Sequence, residues 1–370
     1  MIRGPGVSII IDSYNHERFV EATIRSALAQ THAPLQVIVI DDGSPDGSQD
    51  IIRSFGSAVQ MIFQKNQGQV AACRNALQHA EHDIVMFLDS DDLLEPHAAS
   101  TIAKAWRRGV SKVQFCLHVI DEHGAATGNV FPKYSPDLTP EKVRSEMLRA
   151  GSYPDSPTSG NAYDRHFLEK TMPLLPRQNG IDGELNGIAP LYGDVLSLSQ
   201  PLGSYRVHGD NDFAQQKLEI DKFTDYLCHS EARLRFIREH YQSMGQEIDA
   251  DVLDHDLKYQ EYALVVEKLG KAAGDKQRHL LTTLKKAMIA VWQAPHELVQ
   301  RLYRALWMAA VTVAPKRLAA VLVEQRFVPG RRSGLITRLV NRDQQAKPEE
   351  DTRADMTKGL DHPRPSSSHV

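Results

Sequence analysis

The chain has 370 residues, with 43 Lys and Arg against 47 Asp and Glu, a formal net charge of −4, 41% hydrophobic residues and 24% charged residues. This composition excludes a chain disordered throughout, and it lacks the basic surplus with which a general nucleic-acid binder displaces counterions. Three scattered cysteines (Cys73, Cys116 and Cys228) are too few for a disulfide framework or a zinc cluster. No apolar run approaches the ~20 residues needed to cross a bilayer. The first residues lack a basic stretch followed by an apolar core, so the expectation is a cytoplasmic protein. At roughly 150 residues per domain, the length suggests two domains and a tail.

The first half alternates short apolar runs with helical patterns. Residues 7–11 (VSIII) read as a strand buried on both faces. Residues 19–30 carry Val20, Ile24, Ala27 and Leu28 at helical spacing, with Asn15 as the expected cap. A second buried strand follows at 37–40, and Ser44-Pro45 is expected to open a helix bearing Ile51 and Ile52. Residues 61–63 read as a third strand, 69–80 as a helix and 84–88 as a fourth strand; Pro96 starts a helix that ends near Gly109. Strand–helix alternation of this length implies an α/β fold, a mainly parallel sheet with helices on both faces. Ligands of such sheets sit beyond the carboxyl ends of the strands. From about residue 214 the pattern is helical throughout, over 220–241, 251–269, 277–293 and 297–326. The stretch from about Asn341 is rich in Asp, Glu, Lys, Pro and Ser and reads as a disordered tail. The expected division is therefore 1–212, a helical module at 213–340, and a tail at 341–370.

Carboxylates cluster at the predicted strand ends. Asp12 closes the first strand, Asp41-Asp42 the second and Asp89-Ser90-Asp91-Asp92 the fourth. In an extended segment Asp89 and Asp91 share a face, and two oxygen ligands on one face suit Mg²⁺ or Mn²⁺. The plainer reading is a solvated strand end with Ser90 or Asp92 capping the next helix. Asp41-Asp42-Gly43-Ser44 is equally good turn chemistry and a good hydrogen-bonding edge for a nucleobase or ribose.

Residues 7–15 (VSIIIDSYN), 26–31 (SALAQT), 39–47 (VIDDGSPDG), Arg74-Asn75, 87–96 (FLDSDDLLEP) and 201–211 (PLGSYRVHGDN) fall in the order and spacing of the family 2 glycosyltransferases. The chain resembles that family over roughly residues 6–212. The resemblance implies a GT-A nucleotide-binding domain that holds a Mn²⁺ or Mg²⁺ ion and a nucleotide-sugar donor, a UDP-sugar by family default. It places Tyr14 against the donor base and Asp42 in hydrogen bond to it. It puts Arg74 near the diphosphate, Asp89 at the ribose and metal, and Asp91 as the main metal ligand. His208 reaches the metal or the diphosphate, or else packs in the loop that closes the site. Asp12 stands where the family more often has Thr or Pro; its backbone remains a candidate for contact with the base.

Inverting transfer needs a group that removes the acceptor's hydroxyl proton. In the family this is commonly the Asp of a Glu-Asp pair ahead of an amphipathic helix and a Gly turn. The matching residue is Asp182, with Ile181 in place of the Glu and Glu184 as the rival base. An N-cap is the plainer role for Asp182. The expected acceptor is a hydroxyl of a glycan or lipid-linked molecule in cell-surface polysaccharide synthesis. Residues 305–315 (ALWMAAVTVAP) with Arg301, Arg304, Lys316 and Arg317 give two readings for 297–326. The segment packs against its own domain, or it makes peripheral contact with the inner face of the membrane. Two alternatives to transfer stand beside this reading. One is a non-catalytic nucleotide-sugar or carbohydrate-binding protein on the same fold. The other is a nucleotidyltransferase, which would want a Gly-rich loop with Lys where Asp12-Ser13-Tyr14-Asn15 stands.

Overall fold

The computed structural model describes residues 4–176, 180–208, 218–270, 276–294 and 298–328. The expected tail at 341–370 lies outside the described residues. In chain order the first half gives β1 (Val7–Ser13), α1 (Val20–Leu28), β2 (Leu35–Asp41), α2 (Ser48–Ser54), β3 (Gln60–Phe63), α3 (Gln69–Leu77), β4 (Ile84–Asp89), β5 (Leu93–Leu94) and α4 (Ala98–Ala105). Then come β6 (Val110–Ile120), β7 (Ala126–Phe131), α5 (Pro140–Ala150), β8 (Asn161–Asp164), α6 (Arg165–Thr171), α7 (Asp182–Tyr192) and β9 (Asp194–Arg206). The helical part is α8 (Ile220–Ser243), α9 (Val252–His255), α10 (Leu257–Leu269), α11 (Lys276–Gln293), α12 (Leu298–Val313) and α13 (Lys316–Phe327).

One sheet runs β3-β2-β1-β4-β8-β6-β9-β5, with β7 on β6. Strands β3, β2, β1 and β4 are parallel. Beyond β4 the sheet is mixed: β8 runs antiparallel to both β4 and β6, while β9 returns parallel to β6. The continuous apolar runs of β1, β2 and β4 follow from burial on both faces. Ile10, Ile38, Ile40, Val85 and Phe87 face one core; Ile9, Ile11, Val37, Val39, Met86 and Leu88 face the other.

Three local expectations change. Asn15 does not cap α1, which starts at Val20 with no side-chain cap. Asn15 instead takes a left-handed conformation, φ 59°, which Asn tolerates better than most residues. Helix α2 opens at Ser48 rather than at Ser44-Pro45, because the Ser44 amide is bound to Asp41 Oδ1 at 2.9 Å and held in a turn. The patterns at 251–269 and 297–326 are each two helices. Asp256 caps α10 by accepting from Tyr259 N, and Pro315, which has no N–H to continue a helix, separates α12 from α13.

Candidate active site

Register brings the first carboxylates together. β1 and β4 pair in parallel with Asp12 opposite Asp89, and Ser13 stands opposite Asp41 on β2. Helix α3 starts at the same edge, after Gly68 at φ 86°. Its first residue, Gln69, donates from Nε2 to Asp12 Oδ2 (3.1 Å) and to Asp89 Oδ1 (2.8 Å). Burial pushes the Asp12 carboxyl up to about 7, against the lowering effect of Gln69. Burial also raises Asp89 well above its ordinary value, followed by the charges of Asp12, Asp92, Asp91 and Asp182. Asp12 Oδ1 and Asp92 Oδ2 are buried with no hydrogen-bond donor. Crowded, desolvated carboxylates with orphaned oxygens fit a site that takes a cation.

The loop after β4 is tied down from three sides. The Thr23 hydroxyl on α1 lies 2.8 Å from both Ser90 O and Asp92 O. Arg206, at the end of β9, donates from its backbone N to Asp92 Oδ1 (2.8 Å) and from Nε to Asp91 O (2.7 Å). Ser159 Oγ accepts from Asp89 N (3.1 Å). These bonds aim Asp91 at His208, whose Nε2 lies 2.9 Å from Asp91 Oδ2. His16 completes the group: its Nδ1 is 2.8 Å from Ser90 Oγ. One ligand atom from each of His16, Asp91 and His208 lies within 4.8 Å of the others. An imidazole–carboxylate–imidazole set of this size can hold a divalent ion. Asp89 stands beside this group, bound to Gln69.

Asp182 arrives from a different element. It opens the first turn of α7 and is half-buried, whereas Glu184 is only 2% exposed. The residue in the cap position is Ile181, not Asp182. A Cβ built on Gly180 would stand 3.3 Å from Asp182 Oδ1 and 3.7 Å from Gln69 Oε1. The base candidate and the glutamine that bridges Asp12 and Asp89 therefore border the same small space. Burial raises the Asp182 carboxyl, Asp155 adds to the rise, and Arg233 on α8 opposes it. Arg233 lies across the turn: a Cβ at Gly183 would come within 2.9 Å of its Cδ.

Beneath Asp182, α7 is locked to the sheet by buried polar groups. Lys112 on β6 is 0% exposed. Its Nζ donates to Asn186 Oδ1 (2.6 Å) and to Tyr153 Oη (3.3 Å). Asn186, one turn after Asp182, also accepts from Tyr163 Oη (2.9 Å) and donates to Asp155 Oδ2 (2.9 Å) and Ser156 O (3.0 Å). Burial lowers the Lys112 ammonium to about 7, against the charges of Asp155 and Asp182.

Asp12, Asp89, Asp91, Asp182 and His208 thus meet at one edge of the sheet, and Asp42 and Tyr14 lie on the adjoining loops. The Asp42 oxygens accept from Gln64 Nε2 (2.7 Å), Gln67 N (2.9 and 3.1 Å) and Gly68 N (2.7 Å), which shapes the turn into α3. Gly43 is needed nearby: at φ 77°, a Cβ there would meet Asn66 N at 2.8 Å. Tyr14 is 48% exposed beside this turn. Arg74 is not brought to the cluster. Its guanidinium donates to Met172 O (3.0 Å) and Leu175 O (3.2 Å), which ties α3 to the turn after α6. Sequence reasoning missed His16, Gln69, Arg206 and Lys112. The signal for His16 was its place in the loop after the first predicted strand, at the same sheet edge as Asp91.

The chain is similar in sequence and fold to known proteins. The model of the family described as glycosyl transferase family 2 matches residues 8–166. The chain is 35% identical over 219 residues to the uncharacterized glycosyltransferase alr2836 of Nostoc sp., covering 56% of this chain and 66% of that protein. It is 33% identical over 281 residues to a Bacillus subtilis protein named as the glycosyltransferase EpsH, covering 68% of this chain and 75% of that one. A match to the chondroitin synthase of Escherichia coli is 32% identical over 151 residues and covers 40% of this chain but 22% of that enzyme. Among solved structures, Staphylococcus aureus TarS in complex with UDP-GlcNAc superimposes with a TM-score of 0.50 at 15% identity, over 86% of this chain and 91% of that one, a likeness of fold. The sheet is the mixed, curled sheet of the GT-A fold followed by helices, and the chain belongs to glycosyl transferase family 2.

Proposed function

We propose that the protein is an inverting, metal-dependent hexosyltransferase. It would move a sugar from a nucleotide-sugar donor, a UDP-sugar in the first instance, to a hydroxyl of a glycan or lipid-linked acceptor in cell-surface polysaccharide synthesis. The observation that carries this reading is the meeting of Asp12, Asp89, Asp91 and Asp182, from three separate elements, at one edge of the sheet, with Gln69 bound to Asp12 and Asp89 and bordering Asp182. UDP-GlcNAc is bound by the structural neighbour TarS, and chondroitin synthase, by its name, makes a polysaccharide. Both point to the same chemistry.

Each side chain then has a task. Tyr14 offers its exposed ring to the donor base. The Gln64 amide on Asp42 is the hydrogen bond that the base would replace, leaving the Gln67 and Gly68 amides in place. Asp91 and His208, with His16, would hold the divalent ion, and Asp89, beside them, would serve the ribose and the ion. Two imidazoles suit a first-row ion such as Mn²⁺ better than Mg²⁺, which prefers an all-oxygen shell. When bound, the ion supplies positive charge for the departing diphosphate. Asp182 takes the acceptor's hydroxyl proton as that oxygen attacks the sugar C1. The bond from C1 to the diphosphate breaks on the opposite face, and a single displacement inverts the centre. Burial favours this role by raising the carboxyl above its ordinary value, which strengthens it as a base. The reading includes a place in the reducing cytoplasm, where Cys73, Cys116 and Cys228 stay as the free thiols they are here.

The experiment is Asp182→Asn. Donor affinity by calorimetry stays within about twofold, while transfer falls by about 10²–10⁴, the usual worth of a positioned base. Near-normal turnover in that variant moves the base elsewhere. Donor binding with no turnover in the wild-type protein favours the non-catalytic reading.

A further inference from the structure

Helix α12 exposes the wrong residues for a face in water. Five of its residues are well exposed, and all are Leu or Val: Leu298 (61%), Val299 (53%), Leu302 (45%), Leu306 (71%) and Val313 (83%). At 100° per residue they fall on one arc of about 100°. The opposite side is already used. Trp307, Met308 and Val311 are buried in the core that α12 shares with α10, α11 and α13, and the polar Gln300 and Thr312 are buried with them. Packing against its own domain therefore accounts for one face of the helix only. The other is a continuous apolar strip, about 24 Å long for sixteen residues. Soluble monomers rarely leave such a strip open to water.

The surroundings state what covers it. In sequence, α11, α12 and α13 carry nine Lys and Arg against one Glu, in a chain whose net charge is −4. Arg304 and Arg326 pair with Glu261 and Lys286 with Asp254, and the rest leave these helices basic. Lys316 and Arg317 are exposed at the start of α13, next to the end of the strip, with Leu318 (53%) and Val321 (47%) beyond them. Trp292, near the end of α11, is 48% exposed, as suits a ring at a membrane–water boundary. No helix among the described residues is long and apolar enough to cross a membrane, so contact has to lie in the plane of the surface.

We propose that the α12 strip and the basic start of α13 form a docking surface for an anionic lipid bilayer. Leu298, Leu302 and Leu306 enter the boundary between headgroups and acyl chains, while Lys316 and Arg317 meet lipid phosphates. A second copy of the chain fits less well, because pairing two such surfaces would set like charges against each other. The inference does not depend on the donor chemistry proposed above.

The test is flotation of the full chain with phosphatidylcholine vesicles, with and without about one third phosphatidylglycerol. The expected result is binding to the anionic vesicles only, weakened by salt. Leu302→Glu/Leu306→Glu and Lys316→Glu/Arg317→Glu should each lower the partition by about tenfold or more. The milder Leu306→Gln, at the most exposed leucine of the strip, should lower it measurably without disturbing the melting transition. Absence of vesicle binding by the wild-type chain overturns the proposal. So does equal binding by the variants, or a wild-type dimer in light scattering that the leucine changes convert to monomer. Nucleotide-sugar binding measured on the same samples is expected to be unchanged, so failure of docking is distinguishable from failure of the transferase reading.

Discussion

A single buried amine shows how far side-chain chemistry reaches beneath this site. Lys112 sits within hydrogen-bond reach of Asn186 and Tyr153, with no exposed surface. Its folded pKa of about 7 lies below the unfolded value of roughly 10.4. Between those values the unfolded chain holds the extra proton, so this group's contribution to stability rises with pH through that window. In urea titrations, the wild type should therefore gain stability relative to Lys112→Met from about pH 7 to pH 9. A difference that does not change with pH would show that the amine stays charged in the fold. The same scale limits what a sequence reader sees. His16 and His208 stand 192 positions apart in the chain, and only the fold places their ligand atoms in one group with Asp91.

At the scale of elements, legibility followed the unbroken apolar run rather than burial alone. β1, β2 and β4 were readable because both faces are covered and their runs are apolar throughout. β6 and β9 carry the mixed half of the sheet but escaped notice. β6 buries Lys112 and Gln114 among its apolar residues, and β9 is half-exposed and interrupted by Pro201. Polar residues inside a strand mask the pattern when their partners come from distant segments. Helix α7 is the element on which the proposed chemistry turns, and Asn186 fixes it. Asn186→Leu strips partners from Lys112, Tyr163 and Asp155 at once. Lys112 and Tyr163 are buried and Asp155 is exposed. Each orphaned buried group costs about 1–3 kcal/mol, so we expect roughly 2 kcal/mol or more of lost stability in chemical unfolding. A loss below about 1 kcal/mol would mean that the network adds nothing to holding Asp182.

Across the whole molecule, α8 joins the two halves. Leu234, Ile237 and Tyr241 pack into the core that contains α7, while Phe223 near its start belongs to the core of the later helices. Helix α8, which opens the segment expected as a helical module from residue 213, therefore contributes side chains to both interiors. Arg233, from the same helix, lies against Gly183 beside Asp182. The helical part, with Glu261 clamped between Arg304 and Arg326, reaches the proposed active-site edge through Arg233 and carries the apolar strip on α12. The proposed cation site and donor site share one sheet edge. Calorimetric titration of UDP-sugars into the full chain, with and without Mn²⁺, tests this most directly. We predict binding that requires Mn²⁺ and is lost in Asp91→Asn; binding that is indifferent to Mn²⁺ and intact in that variant would contradict it.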